Sequence, residues 1–179
     1  MSHDQVASNS ELSKLQCLGS ASNMIDELVA LLGHSKFFQD FTRDDIEKLA
    51  LFMQVYRAEP GATIIREGDT DDFMLFILDG LINIVKTDVN GERRAMTAVT
   101  AGATLGEMSM IDGEPRFATC IAIDATKFSV FSRDSMVHII MEEPALGAKI
   151  LIKLVTLLSQ RLRDTSSNLL HYLERSNTV

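Results

Sequence analysis

The spacing of apolar residues changes period twice along the chain. Met24, Ile25, Leu28, Leu31 and Leu32 recur at helical intervals, which predicts a helix over 23–32. A second helix is predicted over 43–52, with Thr42 as its N-cap and Asp45 at the third position. From Met53 to Arg133 the pattern turns to short runs rich in Ile, Val, Phe and Thr, each closed by turn residues: Pro60-Gly61, Glu67-Gly68-Asp69, Asp79-Gly80, Asn90-Gly91 and Asp112-Gly113. The runs predict strands at 53–57, 63–66, 73–78, 81–86, 94–100, 119–123 and 127–131. Asn90-Gly91 is the strongest hairpin signal, since both residues tolerate the positive φ of a type I′ turn. After Ser132 the helical period returns, with a short helix over 134–141 and a long one opened by Pro144 in its first turn.

Strands that follow one another without intervening helices indicate an antiparallel double-sheet barrel. The expected class is mainly β with flanking helices: a jelly-roll (double-stranded β-helix) barrel followed by a long C-terminal helix. That helix, from Pro144 to about Glu174, would run roughly 46 Å at ~1.5 Å per residue, too far to lie wholly on one small barrel. Leu151, Val155, Leu158, Leu162, Thr165, Leu169 and Tyr172 follow the alternating four-three spacing of a coiled-coil seam, while Ile150, Leu154 and Leu157 form a second apolar face. Two faces call for two partners, the barrel and a second copy in a parallel homodimer. Residues 1–20 are polar and rich in Ser and Asn, so they are expected to be flexible, with structure starting near Ser22. The division is a flexible 1–20, a jelly roll with short helices at 21–142, and the helix at 143–179.

Composition narrows the function classes. A net charge of −8 and a pI near 4.9 exclude a broad basic face for nucleic acid, so direct DNA binding is not expected. Cys17 and Cys120 are the only cysteines and form no zinc, iron–sulfur or disulfide pattern, which implies a reducing compartment. No apolar run reaches the roughly 18–20 residues of a membrane span or resembles a signal peptide, and the reading is a cytoplasmic protein. His3, His34, His138 and His171 lack ligand spacing, and no nucleophile–base or paired-carboxylate setting is recognisable. Neither enzyme activity, metal nor cofactor is expected. Asp69, Asp71 and Asp72 do not fit a calcium loop and are read as a solvated turn.

The chemistry concentrates in residues 106–119, Gly-Glu-Met-Ser-Met-Ile-Asp-Gly-Glu-Pro-Arg-Phe-Ala-Thr. Glu107 offers an acceptor to a sugar hydroxyl, and the planar fork of Arg116 suits two phosphate oxygens as a lysine would not. Gly106 and a short helical turn over 108–111 would add backbone N–H donors. This stretch resembles the phosphate-binding cassette of the cyclic-nucleotide-binding domain family, with glycines at 61, 68 and 80 also in place. The resemblance runs from about Phe37 to His171 and is to the catabolite-activator-like branch, without its DNA-binding domain.

The resemblance implies that Glu107 binds the ribose 2′-hydroxyl, that Arg116 pairs with the cyclic phosphate, and that amides near Ser109 and Phe117 add donors. Phe117 departs from the usual Ala, Ser or Thr. A missing hydroxyl there counts against cGMP, and the ring either packs on the base or fills part of the pocket. The run Arg161-Leu162-Arg163-Asp164-Thr165-Ser166 resembles the helix that contacts adenine from both subunits, which assigns base reading to Thr165 and Ser166 and points to cAMP. The chain ends at Val179 without the winged helix that follows in transcription-factor members. The expected function is a dimeric stand-alone sensor of cAMP, with cGMP a lesser candidate, signalling through helix rearrangement to an unknown effector protein. The alternatives are a nucleotide-free dimerisation module, or a sensor of another effector such as cyclic di-GMP.

Overall fold

A computed structural model describes residues 11–32 and 35–176. Among the described residues nine strands form two antiparallel sheets, one ordered β1-β2-β9-β4-β7 and the other β3-β8-β5-β6. In chain order the strands are β1 (Gln16–Ser20), β2 (Gln54–Ala58), β3 (Thr63–Ile65), β4 (Phe73–Asp79), β5 (Leu81–Thr87), β6 (Arg93–Thr100), β7 (Thr104–Leu105), β8 (Thr119–Ala122) and β9 (Thr126–Ser132). The helices are α1 (Ile25–Leu32), α2 (Arg43–Ala50), α3 (Glu107–Asp112), α4 (Arg133–Glu142) and α5 (Pro144–Ser176). This is the expected jelly roll, with helices before and after it and one inserted between β7 and β8.

β4 shows how sequence and layers correspond. Its first six residues are all buried, which a strand wet on one face would not allow. Phe73, Leu75 and Ile77 point into the sandwich among Ile64, Ile65, Ile82, Cys120 and Phe128. Met74, Phe76 and Leu78 point the other way, into a second core shared with Phe37, Phe38, Leu49, Phe131, Ile150 and Leu154. The helices therefore form a layer over the outer face of the larger sheet. Phe38 and Phe76 sit 4.8 Å apart at its centre.

α2 begins as expected: the Thr42 hydroxyl accepts from the Asp45 N–H at 3.2 Å, and the Asp45 carboxylate accepts from the Thr42 N–H at 2.9 Å. α5 buries Leu146, Ile150 and Leu154 in the outer core, and Lys149 pairs with Asp45 at 2.6 Å. Leu151, Val155, Leu162, Leu169 and Tyr172 remain exposed on the same helix.

Two expectations change. Of the segment expected to be flexible, residues 1–10 lie outside the described residues, but 11–20 are structured. Glu11–Lys14 form a 3-10 turn, and β1 pairs with β2 and becomes the edge strand of the larger sheet. Leu12 supplies the apolar anchor, at 2% exposure, and buried Glu11 bonds Arg66 at 2.7 Å and Lys14 at 3.0 Å. The Asn90-Gly91 hairpin is also longer than a two-residue turn. The Gly91 N–H donates to Asp88 O and the Asp88 N–H to Glu92 O, so Val89, Asn90 and Gly91 form a three-residue loop with Gly91 at φ 81°. The Asp88 carboxylate, accepting from the Asn90 and Glu92 N–H groups, favours that loop.

Candidate functional site

Chain reversal at Gly106 builds the site. Its φ of 84° lies in the left-handed region, and a Cβ there would stand 2.8 Å from Phe73 O and 2.7 Å from Arg116 Nη1. Only glycine allows β7 to turn directly into α3 this close to β4. α3 starts at Glu107, one residue before the expected turn, and ends at Gly113, also left-handed at φ 77°.

Arg116 returns beneath this turn, 3% exposed. Backbone bonds fix its position, with its N–H donating to Asp69 O at 2.7 Å and its carbonyl accepting from Gly68 N–H at 2.9 Å. The guanidinium carbon lies 4.3 Å from the Phe73 ring centroid, and Nη1 donates to Gly106 O at 3.1 Å. Nε and Nη2 are buried without a hydrogen-bond partner. They form the side of the fork that a two-oxygen anion meets. Burial pulls the guanidinium below its ordinary pKa range, and the nearby acids Asp71, Asp72 and Asp69 oppose that shift. The acidic run read as a solvated turn is therefore half-buried counter-charge for Arg116. Among the described residues no His, Cys, Asp and Glu group could hold a metal ion.

Glu107, 1% exposed, is met from two sides. The Thr104 hydroxyl donates to Oε1, and Arg161 Nη1 donates to Oε2 at 3.0 Å. Arg161 Nη2 also donates to Thr104 O at 2.9 Å, so one guanidinium from α5 spans the start of the cassette. Sequence reasoning missed Arg161 as a site residue, although it stood in the helix segment already singled out. Ser109 is buried on α3. Cys120, on β8 behind Arg116, has its thiol pushed up to about 12 by burial, so it stays neutral.

The ring of Phe117 stays out of the cradle. It is 53% exposed, with Lys86 Nζ 4.4 Å from its centroid, and Lys86 donates to Phe117 O at 2.6 Å. Thr165 and Ser166 are exposed on α5. Thr165 shares a face with Arg161, about 6 Å further along the helix. The structure thus brings Gly106, Glu107, Ser109 and Arg116 together, puts Phe117 at the rim, and leaves Thr165 and Ser166 beyond the contacts of Arg161.

The family model for the cyclic nucleotide-binding domain matches residues 56–143. A solved cyclic nucleotide-binding domain from Methylobacillus flagellatus is 36% identical, with a TM-score of 0.83, covering 95% of this chain and 96% of that one. The Cyclic AMP receptor protein of Thermus thermophilus is 24% identical over 147 residues, 81% of this chain and 66% of the relative. The regulatory domain of Toxoplasma gondii PKA, solved with cAMP, is 27% identical with a TM-score of 0.58, covering 65% of this chain and 44% of that one. The chain spans somewhat under two-thirds of the length of the curated relatives it matches first.

Proposed function

This chain belongs to the cyclic nucleotide-binding domain family, and we propose that it is a sensor of a cyclic mononucleotide, cAMP foremost. The observation that carries the ligand class is Arg116: a cation at 3% exposure with two nitrogens unpartnered beside the start of α3. Burying a charge without full compensation costs stability, and a phosphate oxygen pair would supply the missing acceptors. In this reading Glu107 takes the ribose 2′-hydroxyl and Gly106 allows the sugar to approach. The amides near Ser109 and Phe117 add donors. Thr165 and Ser166 face the base. With its ring under Lys86, Phe117 offers no hydroxyl to a guanine, which favours cAMP over cGMP. The name of the Thermus relative and the ligand of the Toxoplasma domain support the same choice.

The exposed seam of α5 supports a homodimer, with the buried face of the helix already taken by the chain's own core. The unit is the jelly roll, entered now from Glu11 rather than Ser22, plus the helix beyond residue 143. Ligand bound more tightly in one arrangement of α4 and α5 shifts the population toward it and alters the surface shown to an effector protein. No reaction is assigned to the chain, nor direct DNA binding by this acidic stretch.

Titration calorimetry with cAMP, cGMP and cyclic di-GMP tests the reading, repeated on Arg116→Ala and Glu107→Ala. Saturable cAMP binding lost in Arg116→Ala is expected. Undiminished cAMP binding in that variant would overturn the site, and no binding of any nucleotide by the wild-type chain would reduce it to a dimerisation module.

A further inference from the structure

The C-terminal end of α3 is held by one side chain from outside the cassette. Arg133 Nε donates to Met110 O at 2.7 Å and its Nη2 to Ser109 O at 3.1 Å. These carbonyls fall in the last turn of a six-residue helix, where backbone acceptors run short of intrahelical partners and the dipole favours a cation; Ser109 O also accepts from the Gly113 N–H at 3.0 Å. The glycine at the C-cap makes room for this arrangement, since a Cβ on Gly113 would stand 3.2 Å from both Nη1 and Nη2 of Arg133.

Arg133 is also the first residue of α4. Ser132 caps that helix, and the Arg133 N–H donates to Asp72 O at 2.9 Å, in the acidic turn that compensates Arg116. One residue therefore joins the acidic turn, the cassette helix and the start of the C-terminal helices. α4 in turn is packed tightly on α5, where a Cβ on Gly147 would stand 2.9 Å from Ile140 Cα. A displacement of the end of α3 can reach the start of α5 through this packed pair, a route separate from the Arg161–Glu107 bond that joins α5 to the start of α3.

We propose that Arg133 is a positioning residue that carries the state of the cassette to α4 and α5 by clamping the last turn of α3. The inference rests on the nucleotide-sensor reading for its ligand-linked part only. Of the site residues Arg133 meets only Ser109, at its backbone carbonyl; its bonds lie at the end of α3 opposite to Gly106 and Glu107. The guanidinium geometry matters, because a single ammonium cannot place two directed N–H groups on two carbonyls as the fork does.

The test is hydrogen exchange on the full chain, wild type against Arg133→Ala and Arg133→Lys, first without ligand and then with saturating cAMP. Without ligand, Arg133→Ala is expected to speed exchange of the amides of residues 110–113 and of the first turn of α4 together by about tenfold, the loss of a cap worth one such factor. The amides of β4 and β9 should keep wild-type rates. With cAMP, the wild-type chain is expected to change protection in α4 and α5, Arg133→Ala to lose that change while still binding, and Arg133→Lys to fall between the two. Unaltered exchange at 110–113 in Arg133→Ala, or full transmission to α5 in that variant, would overturn the proposal. Should Arg133→Ala fail to fold, Arg133→Lys decides alone: a shift in both readouts supports the clamp, and wild-type behaviour in both rejects it. A wild-type chain that binds no cAMP would sink the sensor reading while leaving the ligand-free comparison intact.

Discussion

Arg161 Nη1 and Glu107 Oε2 lie 3.0 Å apart although 54 residues separate them, so the long helix is bonded to the start of the cassette. The carboxylate is 2% exposed and the guanidinium 44% exposed, an asymmetric pair. Removing the cation strands a buried charge with only the Thr104 hydroxyl, whereas removing the acid leaves a cation that water can reach. Arg161→Gln is therefore expected to cost about 1–2 kcal/mol, at the low end for such pairs because one partner is wet. Thermal melting should fall by roughly 3–6 °C. Arg161→Gln in a Glu107→Gln background should cost clearly less, and equal costs in both backgrounds would show that the pair is not coupled.

Arg116 poses the opposite trade. Two of its nitrogens are buried without partners, so in the absence of ligand it is held at a cost. Arg116→Leu keeps much of the volume against Phe73 and removes that cost. The variant also leaves the half-buried Asp69, Asp71 and Asp72 without the counter-charge of Arg116 and Gly106 O without its donor, so chemical denaturation should show ligand-free stability within about 1 kcal/mol of wild type, while calorimetry should show cAMP binding weakened by at least about 100-fold, the loss of a paired charge-assisted contact. A large loss of ligand-free stability would mean that the guanidinium is satisfied after all.

Lys86 joins the rim to a titrating group. It bonds Glu67 at 2.7 Å, and together with the Thr87 N–H it holds the Glu67 carboxyl at about 2, below the ordinary 4.5. A lowered folded-state value means that the stabilisation is fully present above about 4.5 and is lost as pH falls from there through about 2. Carboxyl-detected NMR titration should give Glu67 a midpoint near 2 in the wild-type chain, returning toward 4.5 in Lys86→Ala. An unchanged midpoint in that variant would assign the shift elsewhere.

The two faces of α5 should respond differently to substitution. Leu154 is 0% exposed in the outer core, and Leu154→Ala is expected to cost about 2–5 kcal/mol in stability. Leu162 is 67% exposed, and Leu158→Asp with Leu162→Asp should leave the fold intact while converting a dimer to a monomer in light scattering at tens of micromolar. A wild-type chain that scatters as a monomer at that concentration would remove the dimer from the reading.

Much of this was legible in the chain. The seven predicted strands appear within about two residues of their predicted ends, Thr42 and Pro144 stand at helix starts as expected, and the short helix expected over 134–141 runs from Arg133 to Glu142. The strand β1 was not, because residues 11–20 are mostly polar, and Leu12, Leu15 and the Glu11–Arg66 pair that anchor them against the sandwich show no strand period. β7, only two residues long, left no period to detect.

Local spacing determined the backbone. Alternation made strands, the 3.6-residue period made helices, and glycines at 106 and 113 forced the reversals that bracket α3, so Glu107 and Arg116 were bound to share one loop. Which side chains meet across that loop was decided only by the packed layers. Arg161 on Glu107, Arg133 on the end of α3, the acidic turn beside Arg116 and the outward ring of Phe117 depend on where distant segments come to rest. Periodicity reports which face of an element is buried, and it carries no record of the residue waiting on the other side.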